Sequence, residues 1–205
     1  MAWAPDYLTL AALKAYLRIT DTDDDAELAV AITAASRAID RSCNRQFGNV
    51  DPAQARSYTA WLNPETGRWV IDIDDLAVAP TSIAIVDTTG GGATDQPITA
   101  YDMADPNAVA NGKVWTSIIV RPASPVQPSG ANAECVVTAA WGWPAVPAAV
   151  TLAAQIQANR FHNRRESPYG VAGSPSDGSE LRLLARLDPD VAVSLTDYVR
   201  PGVVA

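Results

Sequence analysis

Apolar residues follow one period at the two ends of this chain and another in its middle, and that switch constrains the fold. Between Thr9 and Cys43, and again from Val150 to Phe161, they recur at spacings of three and four, which lines one face of a helix. From about residue 49 to residue 140, short β-branched runs alternate with Pro and Gly, the pattern of strands joined by turns. The sequence therefore predicts an α+β fold: a helical bundle of about four helices with an inserted antiparallel β module. The expected divisions are an N-terminal helical hairpin (1–48), the β module (49–140), a third core helix (141–170) and a flexible C-terminal arm with a short helix (171–205).

Thr9 is a good N-cap, and Leu10, Leu13 and Leu17 follow it on one face. The acidic run Asp21, Asp23, Asp24, Asp25 interrupts the pattern. Asp24 and Glu27 have capping-box spacing, and their charge suits the positive end of a helix dipole. In the second helix, Leu28, Ile32, Ala35, Ile39 and Cys43 trace an apolar stripe, Arg37, Arg41 and Arg45 form a basic line outside it, and Gly48 is the expected stop. The expected core is Leu13, Leu17, Leu28, Ile32 and Ile39 packed against Val150, Ala154 and Phe161 of a third helix opened by Pro147. Asp177 and Glu180 predict a fourth short helix carrying Leu181, Leu184 and Leu187, broken by Asp188-Pro189. Val191, Leu195 and Tyr198 would form a last turn or two.

Six strands are expected: Ser57–Trp61, Arg68–Ile73, Ser82–Asp87, Ile98–Met103, Val114–Val120 and Cys135–Ala140. Thr88 to Gly92 reads as a hairpin tip and Arg121–Asn132 as a loop. Trp141 and Trp143, flanking Gly142, are expected to lock the β module onto the third helix.

The 205 residues suffice for a core without disulfides or metals. With 15 Lys+Arg against 23 Asp+Glu, the net charge of −8 argues against a phosphate-neutralising nucleic-acid binder and against a polybasic membrane anchor. Cys43 and Cys135 stand far apart without a CxxC, so neither a disulfide framework nor a cysteine zinc site is expected. The single histidine, His162, removes most triad chemistry. His162 with Glu166 gives too few ligands for a metal. The Asp21–Asp25 run lacks the central Gly and final Glu of a calcium loop. Asp72, Asp74 and Asp75 read as polar positions on a strand's outer face. Gly90-Gly91-Gly92 lacks the Lys-Ser/Thr of a phosphate loop. No catalytic residue, metal or cofactor is expected. No apolar run approaches the roughly 18–20 residues of a membrane span, and the first residues lack a signal peptide's basic and apolar regions, so a reducing, cytoplasm-like compartment is expected. The sequence favours a structural or interaction protein. The alternative is a small ligand- or glycan-binding module or hydrolase using the β region.

The opening Tyr7-Leu8-Thr9-Leu10-Ala11-Ala12-Leu13-Lys14-Ala15-Tyr16-Leu17-Arg18-Ile19, followed by Asp23-Asp24-Asp25-Ala26-Glu27-Leu28, resembles the start of tailed-phage head–tail connector (adaptor) proteins. The resemblance continues in Ala34-Ala35-Ser36-Arg37-Ala38-Ile39-Asp40, in Trp141-Gly142-Trp143, in Val146-Pro147-Ala148-Ala149-Val150 and in Asn159 to Glu166. It implies a ring, commonly of twelve copies, on the portal vertex of a DNA-filled capsid. Such a ring lengthens the DNA channel and offers a platform to the next tail-completion (stopper) protein. It implies synthesis in the host cytoplasm and residence at the head–tail junction of the virion, with no membrane partner. The acidic balance suits a channel through which DNA passes without specific binding. A closed ring needs two different patches per subunit; Asp21, Asp23, Asp24, Asp25 and Arg37, Arg41, Arg45 are the candidate subunit interface. In the C-terminal arm, Leu181, Leu184, Leu187, Val191, Leu195 and Tyr198 form an apolar series larger than a solvated tail needs. With Arg182, Arg186 and Arg200 it is the expected portal-docking element, entering a groove as a helix.

Overall fold

In the computed structural model the described residues are 4–86, 95–130, 133–164, 171–172, 181–182 and 188–200. The fold is mixed α+β. Two compact units divide the chain: Met1–Phe47 with Val146–Ala205, and Gly48–Ala145.

The first unit is helical. Thr9 caps α1 (Leu10–Leu17), its side chain accepting from Ala12 N at 3.2 Å, and Arg18 ends the helix in the left-handed region at φ 59. The 19-residue α2 (Asp25–Cys43) starts after Asp24, whose side chain makes no cap hydrogen bond, so the capping box does not form. Asn44 at φ 51 ends α2 instead of Gly48; a short amide side chain tolerates the left-handed conformation nearly as a glycine does. Pro147 precedes α3 (Ala148–Asn163). Leu13, Leu28, Ile39, Val150 and Ala154 are fully buried and Ile32 nearly so. Leu17 and Phe161 are only partly buried, because each lies in the last turn of its helix, where the packed stripe runs out.

The expected helix around Leu181 is not seen. Val171–Ala172 (β8) and Leu181–Arg182 (β9) pair antiparallel, so Leu181 and Arg182 belong to a strand. Leu184, Arg186 and Leu187 lie outside the described residues. Asp188-Pro189 begins a helix rather than breaking one. Asp188 accepts from Asp190 N at 3.0 Å and Pro189 opens α4 (Pro189–Ser194), where its missing N–H costs nothing. A 3-10 turn, Thr196–Tyr198, follows.

The second unit is a curled antiparallel sheet of seven strands: β1 (Gln54–Asn63), β2 (Arg68–Leu76), β3 (Ser82–Ile85), β4 (Gln96–Pro97), β5 (Tyr101–Met103), β6 (Trp115–Val120) and β7 (Ala133–Ala139). Their order is β4-β3-β7-β1-β2-β6-β5. The run expected as one strand over 98–103 holds only β5 in its second half, while β4 lies just before it. β4 pairs with β3 at one edge and β5 with β6 at the other. Between them, Ile98 N donates to Ile83 O at 2.8 Å and Arg121 N donates to Ala100 O at 3.0 Å. One extended stretch thus supplies both edge strands, which draws the sheet round into a barrel. Inward positions alternate along β7, where Ala133, Cys135, Val137 and Ala139 are buried.

Chain entry and exit meet at one end of this barrel. Gly142 bridges both Asn49 and Leu76, Val50 N donates to Trp141 O at 2.8 Å, and Trp143 N donates to Gly48 O at 2.8 Å. The turn β1–β2 and the stretch Arg121–Gly130 lie at the other end, as the register of β1 with β7 and of β2 with β6 requires.

Candidate functional site

The acidic run sits between α1 and α2, and much of its charge is engaged locally. Lys14 Nζ pairs with Asp25 Oδ1 at 2.6 Å and donates to Asp21 O. Sequence reasoning missed this lysine; the one signal was a cation in the last turn of α1 facing an acidic loop. Asp21 and Asp23 are exposed and Asp24 and Asp25 partly so.

The basic line does not stand as expected. Arg41 is exposed. Arg37 is drawn into the unit: its Nε lies 3.2 Å from Asp40 Oδ2, its Nη2 donates to Pro5 O, and its guanidinium lies 5.9 Å from the Tyr7 ring centroid. Arg45 is partly buried. The N-terminal segment covers this side of α2, a non-local contact that helical spacing cannot foresee.

That segment is held residue by residue. Thr33 Oγ1 donates to Asp6 Oδ2 at 3.0 Å, and Tyr7 N donates to Ser36 Oγ at 3.1 Å. The Tyr7 hydroxyl donates to Asp40 Oδ1 and accepts from Phe47 N at 3.0 Å. Burial raises the Tyr7 phenol, and its hydrogen bond to Asp40 raises it further. Burial also raises the Asp40 carboxyl, against the opposing pull of Tyr7, Arg37, Gln46 and Arg41.

The end of the C-terminal arm is seated in its own helical unit. Val191 and Leu195 are buried, at 0% and 1% exposure. The Tyr198 ring meets Phe47 edge-on at 5.8 Å, and Arg200 N donates to Cys43 O at 2.8 Å. Asp188 lies 3.5 Å from Arg160 Nη1.

On the barrel, Asp72 and Asp74 are exposed and work in polar networks with neighbouring strands. Asp72 accepts from Trp61 Nε1 and from Ser117 Oγ, each at 2.8 Å. Asp74 accepts from Tyr58 OH at 2.9 Å and from Arg56 Nη1 at 2.6 Å. Asp75 is buried instead of facing outward, because the β2–β6 register shifts between Asp72 and Leu76; its Oδ2 accepts from Trp143 Nε1 at 2.8 Å. Trp141 Nε1 donates to Gln54 O at 2.8 Å, and Arg56 lies 4.9 Å over its ring. Both tryptophans thus bond to the barrel's own strands. Among the described residues, no three His, Cys, Asp or Glu side chains group as a metal site would need, and no helix is long and apolar enough to cross a membrane.

Residues 7–62 match the family model described as phage gp6-like head-tail connector protein. No curated protein sequence matches the chain significantly. Among solved structures, a chain in the neck of an empty gene transfer agent (GTA) particle, computed with C6 symmetry, is similar at TM-score 0.58 and 18% identity, over 100% of this chain and 95% of that one. A chain in the neck of a native GTA particle, computed with C12 symmetry, gives TM-score 0.55 and 20% identity over 100% and 95%. A chain in the virion of a native GTA particle gives 0.52 and 22% over 97% and 92%. The solved chains share the fold along the whole length, and the family model matches the N-terminal helices and the first strand.

Proposed function

We propose that this chain is a head–tail connector that forms a ring on the portal vertex, extends the DNA channel and receives the next tail-completion protein. One observation carries the reading: the N-terminal helices match a connector family, and the whole fold is similar to chains in the necks of phage-like particles. The role is structural, not enzymatic. A ring of twelve copies accords with the C12 symmetry used for one of those necks.

In this reading the helical unit, a bundle with α4 as its short fourth member, builds the ring. Exposed Asp21 and Asp23 face Arg41 of a neighbouring copy, which meets the need of a head-to-tail contact for two unlike patches. The portal contact falls to the stretch Leu181 to Leu187, with Arg182 and Arg186 supplying orientation more than affinity. Gel filtration with light scattering, followed by co-sedimentation with portal-bearing capsids, tests the reading. A ring that sediments with capsids only when portal is present is expected. A monomer that never joins them, at any concentration, rejects it.

A further inference from the structure

An N-terminal and a C-terminal segment are fastened to the same place, the C-terminal end of α2. The N-terminal segment reaches it through Tyr7, whose hydroxyl joins Asp40 in the last turns of α2 to the Phe47 amide beyond it. The C-terminal segment reaches it through Arg200 N on the Cys43 carbonyl. Between them lies Phe47, fully buried. Its ring meets Tyr7 at 5.7 Å and 78° and Tyr198 at 5.8 Å and 77°, two edge-to-face contacts of favourable geometry.

Phe47 lies three residues past the helix stop at Asn44, so the hydrogen bonds of α2 do not fix its position. Among the described residues, the Tyr7 and Tyr198 rings and the bond from its amide to the Tyr7 hydroxyl hold it. Removing Tyr198 opens one side of the ring to water. The ring then gains by shifting, and the shift moves the amide that Tyr7 holds. The coupling is reciprocal, as any linkage between two equilibria must be.

We propose that Phe47 couples the N-terminal segment Pro5–Leu8 and the C-terminal segment Pro189–Arg200 into one latch, so that release of either loosens the other. The coupling is a property of the single chain and stands whether or not the connector reading holds. Whatever displaces the C-terminal segment is then sensed at the N-terminal segment.

Hydrogen exchange on the full chain tests this, reading the amides of Tyr7, Phe47 and Arg200, with Ala35, Ala154 and Val137 as references for global opening. Tyr198→Ala is expected to speed exchange at Tyr7 and Phe47 by about tenfold, a coupling of the usual size, with the references unchanged. Tyr7→Phe keeps the ring but loses the hydroxyl, and is expected to speed exchange at Arg200. If Tyr198→Ala does not fold, Tyr198→Leu keeps apolar bulk and is read the same way. Unchanged exchange at Tyr7 and Phe47 while the Leu195 amide accelerates shows two independent fastenings and overturns the proposal. So does an increase of equal size at the reference amides, which is global unfolding.

Discussion

Gly142 approaches Gly48 so closely that a Cβ built on it would lie 1.9 Å from the Gly48 carbonyl oxygen. The same carbonyl accepts from Trp143 N at 2.8 Å, so the contact closes the barrel where the chain enters and leaves it. Gly142 also has φ 103, a region that other residues avoid.

Gly142→Ala must therefore push two backbone segments apart and strain its own. A loss of about 3 kcal/mol or more is expected, read as a lower urea midpoint. Gly67→Ala, at φ 64 with nothing within 4 Å of the new Cβ, carries backbone strain alone and is expected to cost about 1 kcal/mol.

On α2, Ile32 is 3% exposed and Val30 is 70% exposed. Ile32→Asp places a charge in the helical core without a partner and is expected to cost about 4 kcal/mol, a large part of the margin of a protein of ordinary stability, read as a lowered melting temperature. Val30→Asp is expected to change stability by less than about 0.5 kcal/mol. Equal melting of the two variants contradicts the assigned face.

Cys43 and Cys135 are both fully buried, and burial pushes each thiol up to about 11. The thiolate is the reactive form. Near neutral pH an aromatic disulfide reagent is expected to label neither in the native chain and both after denaturation. Rapid labelling of the native chain contradicts the burial.

Asp40 gives a pH dependence of definite sign. Burial raises its carboxyl above the ordinary range, so the folded state holds that proton more tightly than the unfolded chain. Its contribution to stability is complete below the unfolded value, falls as pH rises through the window up to the folded value, and is constant above it. Asp40→Asn is expected to remove that part of the slope in a series of urea midpoints from about pH 4 upward. An identical slope in both proteins contradicts the assignment.

The helices were legible because each buries a single stripe, and that stripe recurs in the sequence at the helical period. What stayed hidden was non-local. The outward side of α2 at Arg37 looks solvated until the N-terminal segment lies along it, some thirty positions away in the chain. Closure of the sheet was hidden for the same reason, since the stretch from Gln96 to Met103 pairs with two strands that are themselves far apart. Two local signals were misread. Asn44 could end α2 as well as a glycine, and Asp188-Pro189 is as good a start as a stop. In the candidate interface, Asp25 and Arg37 carried visible charge, but their partners Lys14 and Asp40 could be named only once the chain had folded.

The proposed ring at the head–tail junction is open to direct observation. Cryo-electron microscopy of portal-bearing capsids incubated with the purified chain tests it most directly. A ring of added density on the portal vertex, coaxial with the DNA channel, into which twelve copies of this fold can be placed, is expected. Capsids whose portal vertex stays bare at saturating concentrations of a correctly folded chain would contradict it.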